Sequence, residues 1–510
     1  MIIEFEFIYD NDNGLIAHFL DFYAKKSGLE YALNIEANFA RLYVIGEEEK
    51  LLKFSDEYMN LIPNSIFLTK TSVKVVESPK EHNFEQCEFK SSNFTPSVIR
   101  SHQENGSLNE NEFGILSAIS VQKDDKFEKV SKENFNELLD FCFTILFHNQ
   151  NLQIKFNDQI CELNANVDFN ADFLMPTTLK SLGKIFVADE KVVVALASYE
   201  KPLLNLKTNS IFRSNHERVP PFFDLKFAGD FFIYTLFNKL FKEEIFFVSV
   251  KTDKSKFMKV AVLDEQFLIV NNPNFLSKKS ENFLNSKSDK NLANFALICD
   301  EMGVFDKKIL QVFLSKNGDD MIKVYDKDLQ ISMLNIKIWD SYDELKDEIC
   351  LDETGAKLFE NFSANFTFPN GKIDANASFY GLFDIASRIL FNQNAKYLLD
   401  SAKDFLGKKG VRIDFKVDKN SNFDAIKFIK SAMSYKVAGV DDKVLSYGFI
   451  DSLAYFLSDY FDLLKEEFES EAVLLTGSLF EEKNLANLTL NLTQKTHNAK
   501  FSNRYGFEVL

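Results

Sequence analysis

Along the first eighty residues the polar and apolar positions change period four times. From Ile2 to Ile8 apolar side chains alternate with Glu4 and Glu6, the spacing of a half-buried strand. Asp10 to Gly14 is a turn. Leu15 to Lys26 then carries Phe19, Leu20, Phe22 and Tyr23 on one helical face and stops at Ser27-Gly28. Strands are expected near Tyr31 to Leu33 and from Ala40 to Ile45. A helix from Glu47 to Leu61 ends before Pro63, and a last strand runs from Val73 to Val76. The order is β-α-β-β-α-β.

Residues 81–110 are polar and rich in turn formers, and read as a linker or long surface loops. Residues 111–290 resume an α/β pattern. An apolar helix is expected from Asn134 to His148 and a hairpin from Asn151 to Leu163. Lys184 to Ala188 and Lys191 to Ala197 read as two strands. From 291 to 510 the pattern predicts strands at Lys308 to Phe313 and Met321 to Tyr325 around the Asn317-Gly318 turn. Helices are expected at Asp340 to Ile349 and Ala356 to Phe362. Late in the chain Ala472 to Leu475 is an uninterrupted apolar run, as a buried parallel strand requires. It breaks at Thr476-Gly477-Ser478 and resumes with Leu479, Leu485, Leu488 and Leu492 at helical spacing. Such a strand–turn–helix junction lets a phosphate approach backbone amides. It also serves as a plain connection.

Composition narrows the picture in a few places. At 510 residues the chain is long enough for two to four domains. It has 55 Phe and a single Trp, so Phe takes Leu's usual place as core filler. A formal charge of −17 with no Lys/Arg run beyond a pair argues against nucleic-acid binding. No apolar stretch is long enough to span a membrane. The acidic start lacks the basic region of a signal peptide. The five cysteines are scattered without a C-x-x-C pair, which fits reduced cytoplasmic thiols and gives no zinc site. D-x-D occurs at Asp10 to Asp12 and Asp326 to Asp328, both in turn-like stretches.

The N-terminal order resembles an acylphosphatase (ferredoxin-like) domain. Asn34, the hairpin at Asn38 and Gly46 fall near that family's intervals. His18 stands where the family has its phosphate-binding arginine, so the resemblance makes Asn34 and His18 the catalytic candidates. An anion clamp calls for a permanently charged, bidentate guanidinium, and a neutral-pH histidine supplies neither feature. Ser198-Tyr199-Glu200-Lys201-Pro202-Leu203-Leu204 looks like a segment of YrdC-like domains. Phe246 to Lys251 stands where those domains carry a small-residue loop. Leu382-Phe383-Asp384 and Val473 to Lys483 look like two nucleotide-facing motifs of an actin-like (ASKHA) domain, which makes Asp384, Gly477 and Ser478 candidates for binding a nucleotide.

Together these resemble the HypF carbamoyltransferases of nickel-iron hydrogenase maturation. The resemblance implies an α/β multidomain chain: acylphosphatase-like at 1–80, a linker at 81–110, YrdC-like at 111–290 and actin-like at 291–510. It departs from the family where chemistry is done. The paired C-x-x-C region and the histidine cluster are missing, and Glu481 and Glu482 put two negative charges where a phosphate would sit. The chain therefore looks like a degenerate HypF relative, a HydE-type accessory protein whose partners would be hydrogenase subunits or maturation proteins, with no metal. One alternative is an active ATP-dependent carbamoyl or acyl transferase with a divergent site, for which ATP is the implied cofactor. The other is a cytoplasmic interaction protein unrelated to hydrogenases.

Overall fold

The computed structural model describes every residue except Asn157, Asp158, Glu265, Lys327, Asp328 and Leu510. The second half of the Asp326 to Asp328 turn therefore lies outside the described residues.

Strands Ile2–Tyr9, Glu30–Glu36, Phe39–Ile45 and Leu68–Val76 form an antiparallel sheet in the order second, third, first, fourth. Helices Leu15–Ser27 and Glu48–Tyr58 bury Phe19, Leu20, Leu51 and Phe54 against Phe5, Phe7, Leu33 and Leu42. This is the acylphosphatase-like arrangement that the alternating pattern predicts.

The segment after it runs mostly over the surface, but parts of it are anchored to the protein. Asn83 acts as a substitute strand residue. Its Nδ2 donates to the Ile35 carbonyl at 2.9 Å, and its Oδ1 accepts from the Ile35 amide at 2.7 Å. Cys87, Asn93 and Thr95 are buried, and Pro96–Asn105 is a helix. Polar side chains here anchor the segment by satisfying backbone groups.

The middle of the chain builds an eight-stranded sheet from strands between Ile119 and Lys251. Phe247–Lys251, where the resemblance calls for a small-residue loop, is an inner strand of it. Lys184 to Ala197 does not form two strands. Leu179–Lys184 is a 3-10 turn, and Glu190–Ala197 is a helix capped by Asp189, whose carboxylate accepts from the Val192 amide at 2.9 Å. The run of three valines suits a strand by propensity, but the cap and packing override that preference. One apolar core runs from the first sheet through Leu174, Leu204, Leu225 and Phe275, so the two regions are fused rather than tethered.

The last region carries a five-stranded sheet. Leu329–Ser332, Met321–Asp326 and Ile309–Phe313 pair antiparallel; Ala472–Thr476 and Ala499–Lys500 then join in parallel. That mixed order is actin-like. Ala472–Thr476 is buried along its whole length, with a parallel neighbour on each side, which explains its unbroken apolar run.

The chain closes on itself. Arg504 Nε donates to the Asp10 carbonyl at 3.2 Å, and its Nη1 lies 3.2 Å from Asp12. Glu301 accepts from Ser502 Oγ at 2.5 Å and the Asn503 amide at 2.9 Å. Burial pushes the Glu301 carboxyl up to about 7 from 4.5, against the opposing pull of Ser502 and Arg504. The folded state thus binds a proton the unfolded chain has released, and stability falls as pH rises from about 4.5 towards 7. Glu301→Gln is expected to remove that slope. Its apparent melting temperature should gain on the parent's as pH rises from about 5 to about 8; parallel curves would refute the assignment.

Candidate functional site

The first candidate region is the loop Asp10 to Gly14, with His18 behind it. Tyr9 lies at the end of a strand and Gly14 at the start of a helix, so the loop between them would present its amides to an anion. In the folded chain it faces protein instead. Asn11 Nδ2 and Asn13 Nδ2 both donate to the Phe275 carbonyl, at 2.9 and 3.0 Å. Asn13 Oδ1 accepts from the Leu15 amide at 3.0 Å, and the Cys87 thiol donates to the Asn13 carbonyl at 3.3 Å. The His18 ring stacks on Phe113, with centroids 4.1 Å apart and planes 9° apart, and its Nε2 donates to the Glu112 carbonyl at 3.0 Å. Burial lowers its pKa, which favours the neutral ring. Asn34 is buried on its strand. Its Nδ2 donates to the Glu81 carbonyl at 3.1 Å, while its Oδ1 has no partner among the described residues. His18 lines a cleft with Phe22, Phe89 and Glu112 whose lining does not include Asn34.

The second candidate region follows Ala472–Thr476. Gly477 has φ 96° and ψ 144°, and its amide donates to the Phe507 carbonyl at 3.1 Å. Ser478 Oγ accepts from the Lys316 amide at 2.9 Å. A 3-10 turn, Ser478–Glu481, comes next, and the helix opens at Lys483 rather than directly after the glycine. Glu481 and Glu482 fill the place where an incoming anion is expected. Lys316 Nζ is 2.6 Å from Glu482 and 3.5 Å from Glu481. Lys403 is 2.9 Å from the other Glu482 oxygen, as an ion pair rather than an aligned hydrogen bond. Lys259 pairs directly with Glu481. Burial alone would raise both carboxyls, but the lysines more than offset it and hold them below the ordinary range. The acids therefore stay ionised as counter-charges to three lysines distant in sequence.

Asp384 sits on the helix Phe379–Phe391. It accepts from Arg388 Nε at 2.6 Å and from the Ala395 amide at 2.8 Å, pinning the start of the next helix. A cavity of about 420 Å³ lies beside the lysine–glutamate cluster, lined by Lys259, Lys316, Tyr380, Lys403 and both glutamates. Asp384, Gly477 and Ser478 are absent from that lining.

The third region was not singled out by sequence reading as a site. A second cavity of about 420 Å³ lies within the eight-stranded sheet region, its wall holding Lys226, Asp230 and Glu200 among apolar side chains. Glu200 is buried and accepts from Ser65 Oγ at 2.5 Å and the Ile66 amide at 3.0 Å, joining the first region to the middle one. Lys201, next to it, has φ 47°, a left-handed conformation uncommon for a residue with a Cβ. The only hint of Lys226 in the sequence is a lysine flanked by Leu225 and Phe227. Among the described residues no group of three or more His, Cys, Asp or Glu side chains could hold a metal ion, and no helix is long and apolar enough to cross a membrane.

The fold is that of a HypF-like multidomain protein. The chain aligns with a crystal structure of full-length HypF in its phosphate- and nucleotide-bound form, at a TM-score of 0.59 and 10% identity, covering 98% of this chain and 96% of that one. It aligns with the crystal structure of T. kodakarensis HypF at a TM-score of 0.65 and 8% identity, covering 99% and 96%. At such identities the likeness is one of fold. In sequence the chain is similar to Protein HydE of Wolinella succinogenes, with 24% identity over 521 residues, 92% of this chain and 93% of the relative. No family model matches the chain.

Proposed function

We propose that this protein is an accessory factor of nickel-iron hydrogenase maturation. It uses a HypF-like architecture to hold a hydrogenase subunit or another maturation protein in the cytoplasm. The full-length similarity to Protein HydE and the HypF-like fold support the pathway. One observation carries the accessory, non-catalytic part of the reading. Where the resemblance calls for anion handling, the chain's own groups stand: Glu481 and Glu482 among the lysines, and the Phe275 carbonyl at the first loop.

Deleting the gene is expected to abolish or sharply reduce hydrogenase activity and to leave the large subunit unprocessed. Unchanged activity together with unchanged processing would remove the proposal. A second reading is an ATP-dependent carbamoyl or acyl transferase with a divergent site. The cavity keeping Lys259, Lys316 and Lys403 on its wall favours it, since three ammonium groups could meet a polyphosphate if the glutamates moved aside.

A further inference from the structure

The cavity of the eight-stranded sheet region has Lys226, Glu200 and Asp230 on its wall. Its two acids are fully engaged by protein donors. Asp230 accepts from Ser117 Oγ and the Ala118 amide, both at 2.8 Å, and from the Phe232 amide at 2.9 Å. Glu200 is held by Ser65 and Ile66. The ammonium of Lys226 is different. It has three protons to donate; among the described residues its one hydrogen-bond acceptor is the Lys201 carbonyl, and the Phe257 ring centroid lies 5.5 Å from it. Lys201 does not compete for the cavity. Its own Nζ turns back to the Ala197 and Ser198 carbonyls, both at 2.7 Å. The left-handed backbone at Lys201 belongs to the residue whose carbonyl receives Lys226, and strain of that kind persists where the surrounding structure enforces it.

Part of the wall around this cation is apolar, and Lys90, Ser91, Ser92, Asn93 and Asn274 line the rest. Ile154, Phe173, Val250, Phe257 and Met258 are all buried and face the same hollow. Without an anion the ammonium is poorly solvated, and burial with the nearby Lys201 charge pulls its pKa down to about 7. A cavity of about 420 Å³ is within the size range of small-molecule sites, which combine an apolar lining with a few placed polar groups.

We infer that this cavity binds a small organic monoanion, a carboxylate carried on an apolar body, with Lys226 as its counter-charge and the buried apolar wall as the seat of its body. A phosphate dianion suits it less well, because it has no apolar body to fill the apolar part of the wall. The site is independent of the accessory role proposed above. It shares no lining residue with the lysine–glutamate cavity.

The test is calorimetric titration of the full-length protein with phenylacetate, with the neutral phenylacetamide and inorganic phosphate as controls. Phenylacetate is expected to bind saturably and phosphate not at all. The amide, and phenylacetate with Lys226→Met, should each bind about tenfold more weakly or worse, the loss expected of one charge-assisted hydrogen bond. Ile154→Trp fills the hollow from the apolar side without touching the charge, and should abolish binding; it serves as the second variant if Lys226→Met does not fold. No saturable heat with phenylacetate, equal affinity for acid and amide, or unchanged affinity in a folded Lys226→Met protein would each overturn the inference.

Discussion

Gly477→Ala is expected to destabilise the last region by about 3–5 kcal/mol. Two costs add. At φ 96° and ψ 144° the backbone lies in a region occupied essentially by glycine alone, where a side chain costs about 1–3 kcal/mol. A Cβ there would also stand 2.2 Å from the Leu314 carbonyl oxygen. That oxygen cannot retreat, because it belongs to the end of the neighbouring parallel strand and accepts from the Leu479 amide at 2.9 Å. Gly439 provides the control. It too has a positive φ, 76°, but a Cβ there meets nothing within 4 Å. Gly439→Ala should therefore cost only about 1 kcal/mol. Denaturant midpoints of the two variants should differ clearly; equal midpoints would show that Gly477 is not pinned by Leu314. The glycine that marks a phosphate loop in the resemblance thus meets a packing requirement here.

Glu482→Ala should be the second large loss, about 3–5 kcal/mol. Glu482 is 3% exposed and faces Lys316 and Lys403. Removing it leaves two ammonium groups beside Glu481 alone, with Lys259 already paired to that residue. An unpaired buried charge costs more than the pair contributes. The double variant Lys316→Met with Glu482→Leu should accordingly recover much of the single loss, since apolar groups of similar volume need no counter-charge. A double-mutant cycle over Lys316 and Glu482 measures this coupling directly. Coupling below about 0.5 kcal/mol would mean that the cluster is a solvated ion pair of little weight.

The two glutamates show how far the sequence could be read. Placed after a strand and a glycine, they read as charges that repel a ligand, and that much was visible locally. Their function as internal counter-charges was not visible, because Lys259, Lys316 and Lys403 come from three separate parts of the chain. The first sheet was legible because Glu4, Glu6 and Gly28 mark period and stop unambiguously. Lys191 to Ala197 was not, because three consecutive valines fit a strand and a short buried helix equally well, and only Asp189 as a cap distinguishes them. Residues 81–110 lie mostly at the surface, as their composition suggests; what composition hides is that Asn93 is buried and gives its amide to the Tyr199 carbonyl. His18 and Asn34 were picked for an anion site. The structure gives His18 a stacking partner and Asn34 a backbone partner, neither of which follows from their spacing.

The central claim is that the protein's own side chains occupy the places where a nucleotide and an acyl phosphate would bind. Calorimetric titration of the purified protein with ATP and with carbamoyl phosphate tests it most directly. No saturable heat with either ligand is the predicted result. ATP binding that appears only when Glu481 and Glu482 are both replaced by glutamine would agree with an occupied site. Saturable binding by the parent itself would contradict the account.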